Sequence, residues 1–383
     1  MSDILVLNAG SSSIKFALFD AGLRERLSGG VTEIGGAGRL SIGGTSGPVQ
    51  AADHPAALGL LLGALAGQGV TPGNLAAAAH RVVHGGPDLT APRRVTPDVL
   101  AEIARCVPLA PLHNPHNLAA IRALAALAPD LPQTASFDTA FHAGNPAEAT
   151  RFALPATPET EGLRRFGFHG LSYSGLVEAL PGLSGALPQR LLAFHLGNGA
   201  SACAIVNGRS HCTTMGYSPL DGLTMGTRAG SLDPNVVLTL VERIGLAATR
   251  TMLNHHSGLH GLSGGITDMR TLLNDHSETA RFAVSHFCYW AVRHAGSLVA
   301  AMGGLDAVAF TGGIGEHAAD IRARIMAGLA HLGLVPDAAA NAHHGPHLHA
   351  PGSPVTAWII PAAEERVIAR DALRLLGPGI HPQ

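Results

Sequence analysis

Two stretches of this chain, one at its start and one near its middle, carry the same strand–turn–strand pattern. Ile4 to Leu7 reads as a buried strand, Asn8-Ala9-Gly10-Ser11-Ser12-Ser13 breaks it, and Ile14 to Phe19 resumes as a second strand. Leu191 to Leu196, Gly197-Asn198-Gly199-Ala200-Ser201 and Ala202 to Val206 repeat that order. Superposed, Leu7-x-x-Gly10-Ser11-Ser12 matches Leu196-x-x-Gly199-Ala200-Ser201. Two such units, each opening half of a 383-residue chain, predict a duplicated domain. Glycine and serine turns expose backbone N–H groups in a concave nest that suits phosphate oxygens. An ordinary hairpin turn would also account for either one alone; the repetition, and Lys15 just after the first turn, favour phosphate. A Walker-type loop is excluded, because its Gly-Lys-Ser/Thr signature is absent and the turn leads into a strand.

A third glycine cluster differs. Val308 to Phe310 is a strand, Thr311-Gly312-Gly313-Ile314-Gly315-Glu316 a turn, and the spacing of Ile321, Ile325 and Leu329 predicts a helix after it. Asp233-Pro234 is a cap-plus-proline start for a helix over Asn235 to Ile244, and Ser277 opens one running to about Met302. Ala37 to Pro55 reads as a turn-rich excursion and Ala340 to Pro354 as a loop. A strand at Trp358 to Ile360 and a helix at Glu364 to Leu376 end the pattern.

Composition narrows the partners. Lys and Arg number 25 against 27 Asp and Glu, with no basic run, which argues against nucleic acid or an anionic membrane. The apolar window Ala56 to Ala66 is far shorter than the roughly 20 residues a membrane helix needs. Cys106, Cys203, Cys212 and Cys288 form no CxxC pair, so neither a disulfide framework nor a structural zinc site is expected. Met1-Ser2-Asp3 does not resemble a signal peptide, and a cytoplasmic location is the expectation.

Charged residues are only 14% of the chain, so those set among apolar or glycine neighbours stand out. Arg81 lies in His80-Arg81-Val82-Val83-His84-Gly85-Gly86, and Arg228 in Gly226-Thr227-Arg228-Ala229-Gly230. A guanidinium offers a planar fork for a carboxylate or phosphate, although a structural ion pair would explain each as well. Asp138 sits between Phe137 and Phe141, and His169 follows Phe168, where desolvation shifts protonation. His113 lies on the proline-bounded loop Ala110 to Pro115. His343, His344, His347 and His349 lack metal-ligand spacing and read as a solvated loop.

Taken in order, these segments resemble the acetokinase family of the actin/sugar kinase/Hsp70 superfamily. The matching stretches are Leu5 to Lys15, His80 to Gly86, Ala110 to Asn114, Phe137 to His142 and Phe166 to Gly170. They continue with His195 to Gly199, Met215 to Gly230, Asp268 to Arg270, Phe310 to Glu316 and Glu364 to Arg370. The resemblance implies an α/β fold of two duplicated βββαβαβα domains of the actin-like, ribonuclease H-like type around a central cleft. Domain limits would be 1–140, completed by a terminal helix at about 365–383, and 141–364 with the nucleotide site. It implies reversible phosphorylation of acetate by ATP, giving acetyl phosphate and ADP by in-line transfer, and a homodimer.

By similarity Asn8 and Glu364 would position Mg²⁺, with Mn²⁺ as the alternative. Ser11, Ser13, Lys15, His195, Leu196, Gly197, Asn198 and Gly199 would contact ATP, as would Asp268, Met269, Arg270, Gly313, Ile314, Gly315, Glu316 and His317. Asp138, His169 and Arg228 would be catalytic, and Arg81 would hold the carboxylate with His113 nearby. Val83, Leu112, Phe168 and Pro219 would shape the pocket for the methyl group. An acetate carboxylate is already ionised at neutral pH, so Asp138 reads as an orienting or metal-linked group. The chain departs from the family at Leu171 and Tyr173, where Thr-Ser-His is usual, and at His116, His317 and Ala363. Competing expectations are another short-chain acid as acceptor, a donor other than ATP, or a nucleotide-binding module without catalysis.

Overall fold

The structure is a computed structural model that describes residues 3–377. Met1 and Ser2, on which the reading of the N-terminus partly rests, lie outside the described residues, as do residues 378–383 of the expected terminal segment. The chain divides into two compact units. One takes the chain up to Ala143 and again from Ala363, and the other is Gly144–Ala362. Glu364 therefore belongs to the first unit.

The first unit holds β1 (Asp3–Ala9), β2 (Ser13–Phe19), β3 (Glu25–Thr32), β4 (Arg39–Ile42), β5 (Thr45–Pro48), β6 (Leu75–Val82), β7 (Arg93–Arg94) and β8 (Gln133–Phe137). Their order in one sheet is β5-β4-β3-β2-β1-β6-β8-β7. β2 is antiparallel to β1 and β3, whereas β1, β6 and β8 run parallel. Parallel strands are covered on both faces and need near-continuous apolar runs. Leu5 and Leu7 of β1, together with Ile14 and Phe16 of β2, pack in one buried cluster with Leu58 and Leu61 of the helix His54–Ala66. Ile121 of the helix Asn114–Leu127 and Phe137 share a second cluster with Val82. The helix Glu364–Leu376 is tied to the same sheet: Ser136 Oγ donates to Asp371 Oδ2 (3.3 Å), and Arg94 Nη2 donates to the Leu375 carbonyl (3.0 Å).

The second unit contains β9 (Arg190–Leu196), β10 (Ala200–Val206), β11 (Arg209–Thr213), β12 (Ala307–Thr311) and β13 (Thr356–Ile359), in the order β11-β10-β9-β12-β13. Again the first three pair antiparallel and β9, β12 and β13 run parallel. This is the arrangement of β3-β2-β1-β6-β8, so the repeat visible in two glycine turns extends to five strands in each unit, in the actin-like pattern. The helix Pro234–Ile244 has Asp233 as its cap, and Glu278–Ala301 has Ser277, whose Oγ accepts from the Ala280 N–H (3.2 Å). Ile321, Ile325 and Leu329 are all buried.

Three readings needed revision. The stretch Thr311 to Glu316, read as a turn, is the last residue of β12 followed by a short helix, Gly312–His317. The excursion at 37–55 contains the β4–β5 hairpin, because Gly43 and Gly44 at positive φ close a two-residue turn between short alternating strands. The loop at 340–354 takes in the end of a short helix, Ala338–Ala342, capped by Asp337 Oδ1 accepting from the Ala340 N–H.

Candidate functional site

In the first unit, parallel topology brings Asn8, Arg81 and Asp138 to the carboxyl ends of three neighbouring strands, β1, β6 and β8. That end is where open α/β sheets place their chemistry. Arg81 Nε donates to Asp138 Oδ1 (3.0 Å) and Nη2 donates to Oδ2 (2.6 Å), a two-point pair. Glu364, at the start of its helix where the dipole favours an acid, lies 3.7 Å from Arg81 Nε. Burial raises the Asp138 pKa; Arg81 opposes the rise and Glu364 adds to it. Burial alone would lower the Arg81 pKa, but the two carboxylates hold it above its ordinary value.

Neighbouring backbone is pinned. The N–H groups of Val83, His84 and Gly85 donate to Asn117 Oδ1, Asn114 Oδ1 and Thr139 Oγ1 at 3.1–3.2 Å. Val83 is buried, while Leu112 is exposed. His113 precedes the helix Asn114–Leu127, and its charge draws the Asp138 pKa down. Lys15 faces Asn8 in the β1–β2 ladder and is exposed, as is Ser11. The Ser13 carbonyl accepts from the Gly10 N–H (2.8 Å) and closes that turn.

In the second unit, the turn after β9 and the helix after β12 meet in the same way. Gly197, Asn198, Asp268, Met269, Arg270, Gly313, Ile314 and His317 surround one cavity of about 290 Å³. Gly312 makes this possible: at φ +78° it lies so close to β9 that a side-chain carbon would stand 2.8 Å from the Leu196 carbonyl oxygen. Leu196, Gly315 and Glu316, also expected at the nucleotide, are not among the residues lining it. Glu316 Oε1 accepts the N–H groups of Gly312 and Ala362, each at 3.0 Å. Asp268 caps the helix Met269–Asn274 and pairs with Arg270 Nη2 (2.6 Å); the Arg270 hydrogen bond holds the Asp268 carboxyl down at about 2.

His169, Arg228 and His195 gather around the Gly197–Gly199 turn. A side-chain carbon on Gly199 would stand 3.2 Å from His169 Nε2 and 3.3 Å from Arg228 Nη2, so bare backbone is what lets both groups close in. One on Gly226 would overlap Asn198 Oδ1, which explains the glycine before Thr227-Arg228. Arg228 Nη1 donates to the Pro219 carbonyl (2.7 Å). Burial lowers the Arg228 pKa, and no carboxylate pairs with it among the described residues. The rings of His169 and His195 stack at 4.1 Å, and Phe168 is buried.

For a divalent ion, no group of three or more His, Cys, Asp or Glu side chains could form a cage among the described residues. The oxygens of Asn8 and Asp138 at the strand ends, and of Glu364 at its helix start, are hard donors. They fit the alternative mode, in which Mg²⁺ takes one or two carboxylates and keeps waters and phosphate oxygens.

Sequence reasoning passed over two supports. Arg322 is fully buried without a carboxylate among its described partners; its Nη1 donates to the carbonyls of Gly315 (2.9 Å) and Glu316 (2.8 Å) at the end of the helix Gly312–His317. Its place beside buried Ile321 was the available signal. Ser201 was noted only as part of a turn, yet its Oγ lies 2.8 Å from His169 Nδ1.

The profile of the acetokinase family matches residues 3–370. The chain is 45% identical to an acetate kinase of Rhodopseudomonas palustris, over 99% of this chain and 100% of that one. Its fold matches the crystal structure of a Porphyromonas gingivalis acetate kinase with a TM-score of 0.91 at 34% identity, covering 98% of this chain and 100% of the other. A Francisella tularensis propionate kinase matches at 0.92, also with 34% identity, over 97% and 99%.

Proposed function

The chain belongs to the acetokinase family, and from that premise we propose that it transfers the terminal phosphoryl group of ATP to acetate, reversibly, giving acetyl phosphate and ADP. One observation carries most of this reading. Arg228 is a buried cation with no carboxylate partner among the described residues, set beside His169 against the bare Gly199 turn, in the unit that holds the glycine-lined cavity. A transferring phosphoryl group spreads negative charge over its oxygens, so catalysis rests on positioning and charge stabilisation. Arg228 and His169 are assigned that task in an in-line transfer. The cavity is assigned to adenosine, with Asp268 to Arg270 and Gly313, Ile314 and His317 around it.

Arg81 is assigned to the acceptor carboxylate. Its Nε and Nη2 are taken by Asp138, so the Nη1 donors remain for the substrate. Asp138 is then the group that orients Arg81 rather than a base. Asn8 and Glu364 would hold the divalent ion, Mg²⁺ or alternatively Mn²⁺, which neutralises phosphate charge when bound. Domain limits are proposed to follow the two compact units. Homodimerisation has a surface to use: the helix Pro234–Ile244 buries none of its residues, and Val236, Leu238 and Leu246 are exposed. Among the described residues no helix is long and apolar enough to cross a membrane, and a cytoplasmic location is part of the same proposal.

The fold does not separate acetate from propionate, since kinases named for each match it equally well. Buried Val83 is assigned to the short wall of the methyl pocket. A hydroxamate assay with ATP, Mg²⁺ and acetate, propionate or butyrate tests the reading. Acetate should give the highest kcat/KM, with each added methylene costing about 10- to 200-fold. A clear propionate preference reassigns the acceptor, and no hydroxamate from any acid overturns the activity.

A further inference from the structure

His169 is the one non-glycine residue in the active region held in the left-handed conformation (φ +59°), immediately before the helix Gly170–Ala179. Strain of this kind costs roughly 1–2 kcal/mol and persists only where the surroundings hold it. What holds the ring is a chain of three hydrogen-bonding groups. His169 Nδ1 lies 2.8 Å from Ser201 Oγ, and the same Oγ lies 2.5 Å from the Tyr173 hydroxyl. Tyr173 and Ser201 are fully buried. Ser201 stands opposite His195 in the β9–β10 ladder.

Direction follows from chemistry. A phenol is the more acidic hydroxyl of the Tyr–Ser pair, so Tyr173 donates to Ser201 Oγ. Ser201 is then left to donate its own proton to His169 Nδ1. With Nδ1 acting as acceptor, the neutral imidazole carries its proton on Nε2, the atom that flanks Gly199 next to Arg228 Nη2.

We propose that Tyr173 is a positioning residue which, through Ser201, fixes His169 as the Nε2–H tautomer and so aims a hydrogen-bond donor, alongside Arg228, at the transferring phosphoryl oxygens. This rests on the role assigned above to His169. It gives a task to Tyr173, one of the places where the chain departs from its family's usual residues. The stack on His195, itself tied through Nδ1 to Ser172 Oγ (2.8 Å), fixes the ring plane; the Tyr173–Ser201 chain fixes the proton.

The test uses the full-length enzyme. In ¹⁵N spectra of histidine-labelled protein, with His169 assigned by its loss in His169→Gln, Nδ1 should be unprotonated at neutral pH; a protonated Nδ1 overturns the proposal whatever the variants do. Tyr173→Phe should lower kcat about tenfold with KM for acetate and ATP within about twofold, because tautomer control acts on the transition state rather than on binding. Ser201→Ala should lose a similar factor, and the double variant no more than either single one. Unchanged kcat in Tyr173→Phe, or multiplying losses in the double variant, overturns the relay. His169→Ala separates the two levels. If it turns over at the parent rate, the role of His169 falls; if it is crippled while Tyr173→Phe is normal, only the relay falls.

Discussion

Arg81 and Arg228 look alike in the sequence, each a lone cation among small or apolar neighbours, and the structure makes them different. Arg81 is held by Asp138 and Glu364, whereas Arg228 has no carboxylate partner among the described residues. Both Arg81→Ala and Arg228→Ala should lower kcat by about a thousandfold or more while ATP binding, measured by calorimetry, survives. Their stabilities should diverge. Removing Arg81 leaves Asp138, whose side chain is 2% exposed, as an uncompensated buried acid, at a cost of about 3–5 kcal/mol. Removing Arg228 relieves a desolvated cation and should leave the urea midpoint unchanged or raised. Equal destabilisation by both would contradict this difference in pairing. Two buried histidines bear on acid stability. Burial pushes His80 and His84 down to about 4. Their unfolded-state value is near 6.5, so the unfolded chain takes up protons first as pH falls. Their stabilising contribution is complete above about pH 6.5 and is lost as pH drops towards 4, by about 3 kcal/mol for each. Urea melts across that range should show the decline, and His80→Gln, which cannot titrate, should flatten it.

At the scale of elements, the strand ends and the glycine turns do the positioning. Strands, the long capped helices and the glycine clusters were legible because each has a local cause: apolar runs, Asp233-Pro234 and Ser277 caps, and small turn residues, with Gly312 alone among the cluster glycines at positive φ. The β4–β5 hairpin was not, because short strands with glycine and serine in them look like loop. Gly312 shows how an element depends on one residue. Gly312→Ala would force a methyl to 2.8 Å from the Leu196 carbonyl oxygen at a φ that L-residues rarely adopt. The helix Gly312–His317 should shift off β9, at a cost of about 2–4 kcal/mol from overpacking and backbone strain together. KM for ATP should rise at least tenfold, with KM for acetate little changed. Thermal melts and initial rates check both parts, and a normal KM for ATP would count against the cavity assignment.

On the scale of the molecule, the helix Pro234–Ile244 stands out because none of its residues is buried. Leu238 and Leu246 are each 60% exposed and lie on the surface proposed above for homodimerisation. The double variant Leu238→Asp, Leu246→Asp should sediment as a monomer where the parent sediments as a dimer, with each unit still folded by circular dichroism. A parent that sediments as a monomer at micromolar concentration would remove that assignment. The duplication was readable from two turns because each breaks an apolar strand run with small residues at the same spacing; at Gly199 a side-chain carbon would crowd His169 Nε2 at 3.2 Å and Arg228 Nη2 at 3.3 Å. The sequence by itself determined the duplicated α/β architecture and the short roster of ionisable groups worth attention. Only the tertiary structure decided that Asp138 clamps Arg81, that Arg228 has no acid beside it among the described residues, and that Tyr173 reaches His169 through Ser201. Those are relations between residues far apart in the chain, and the desolvation and hydrogen-bond geometry that give them their chemistry arise only once the strands and helices have packed.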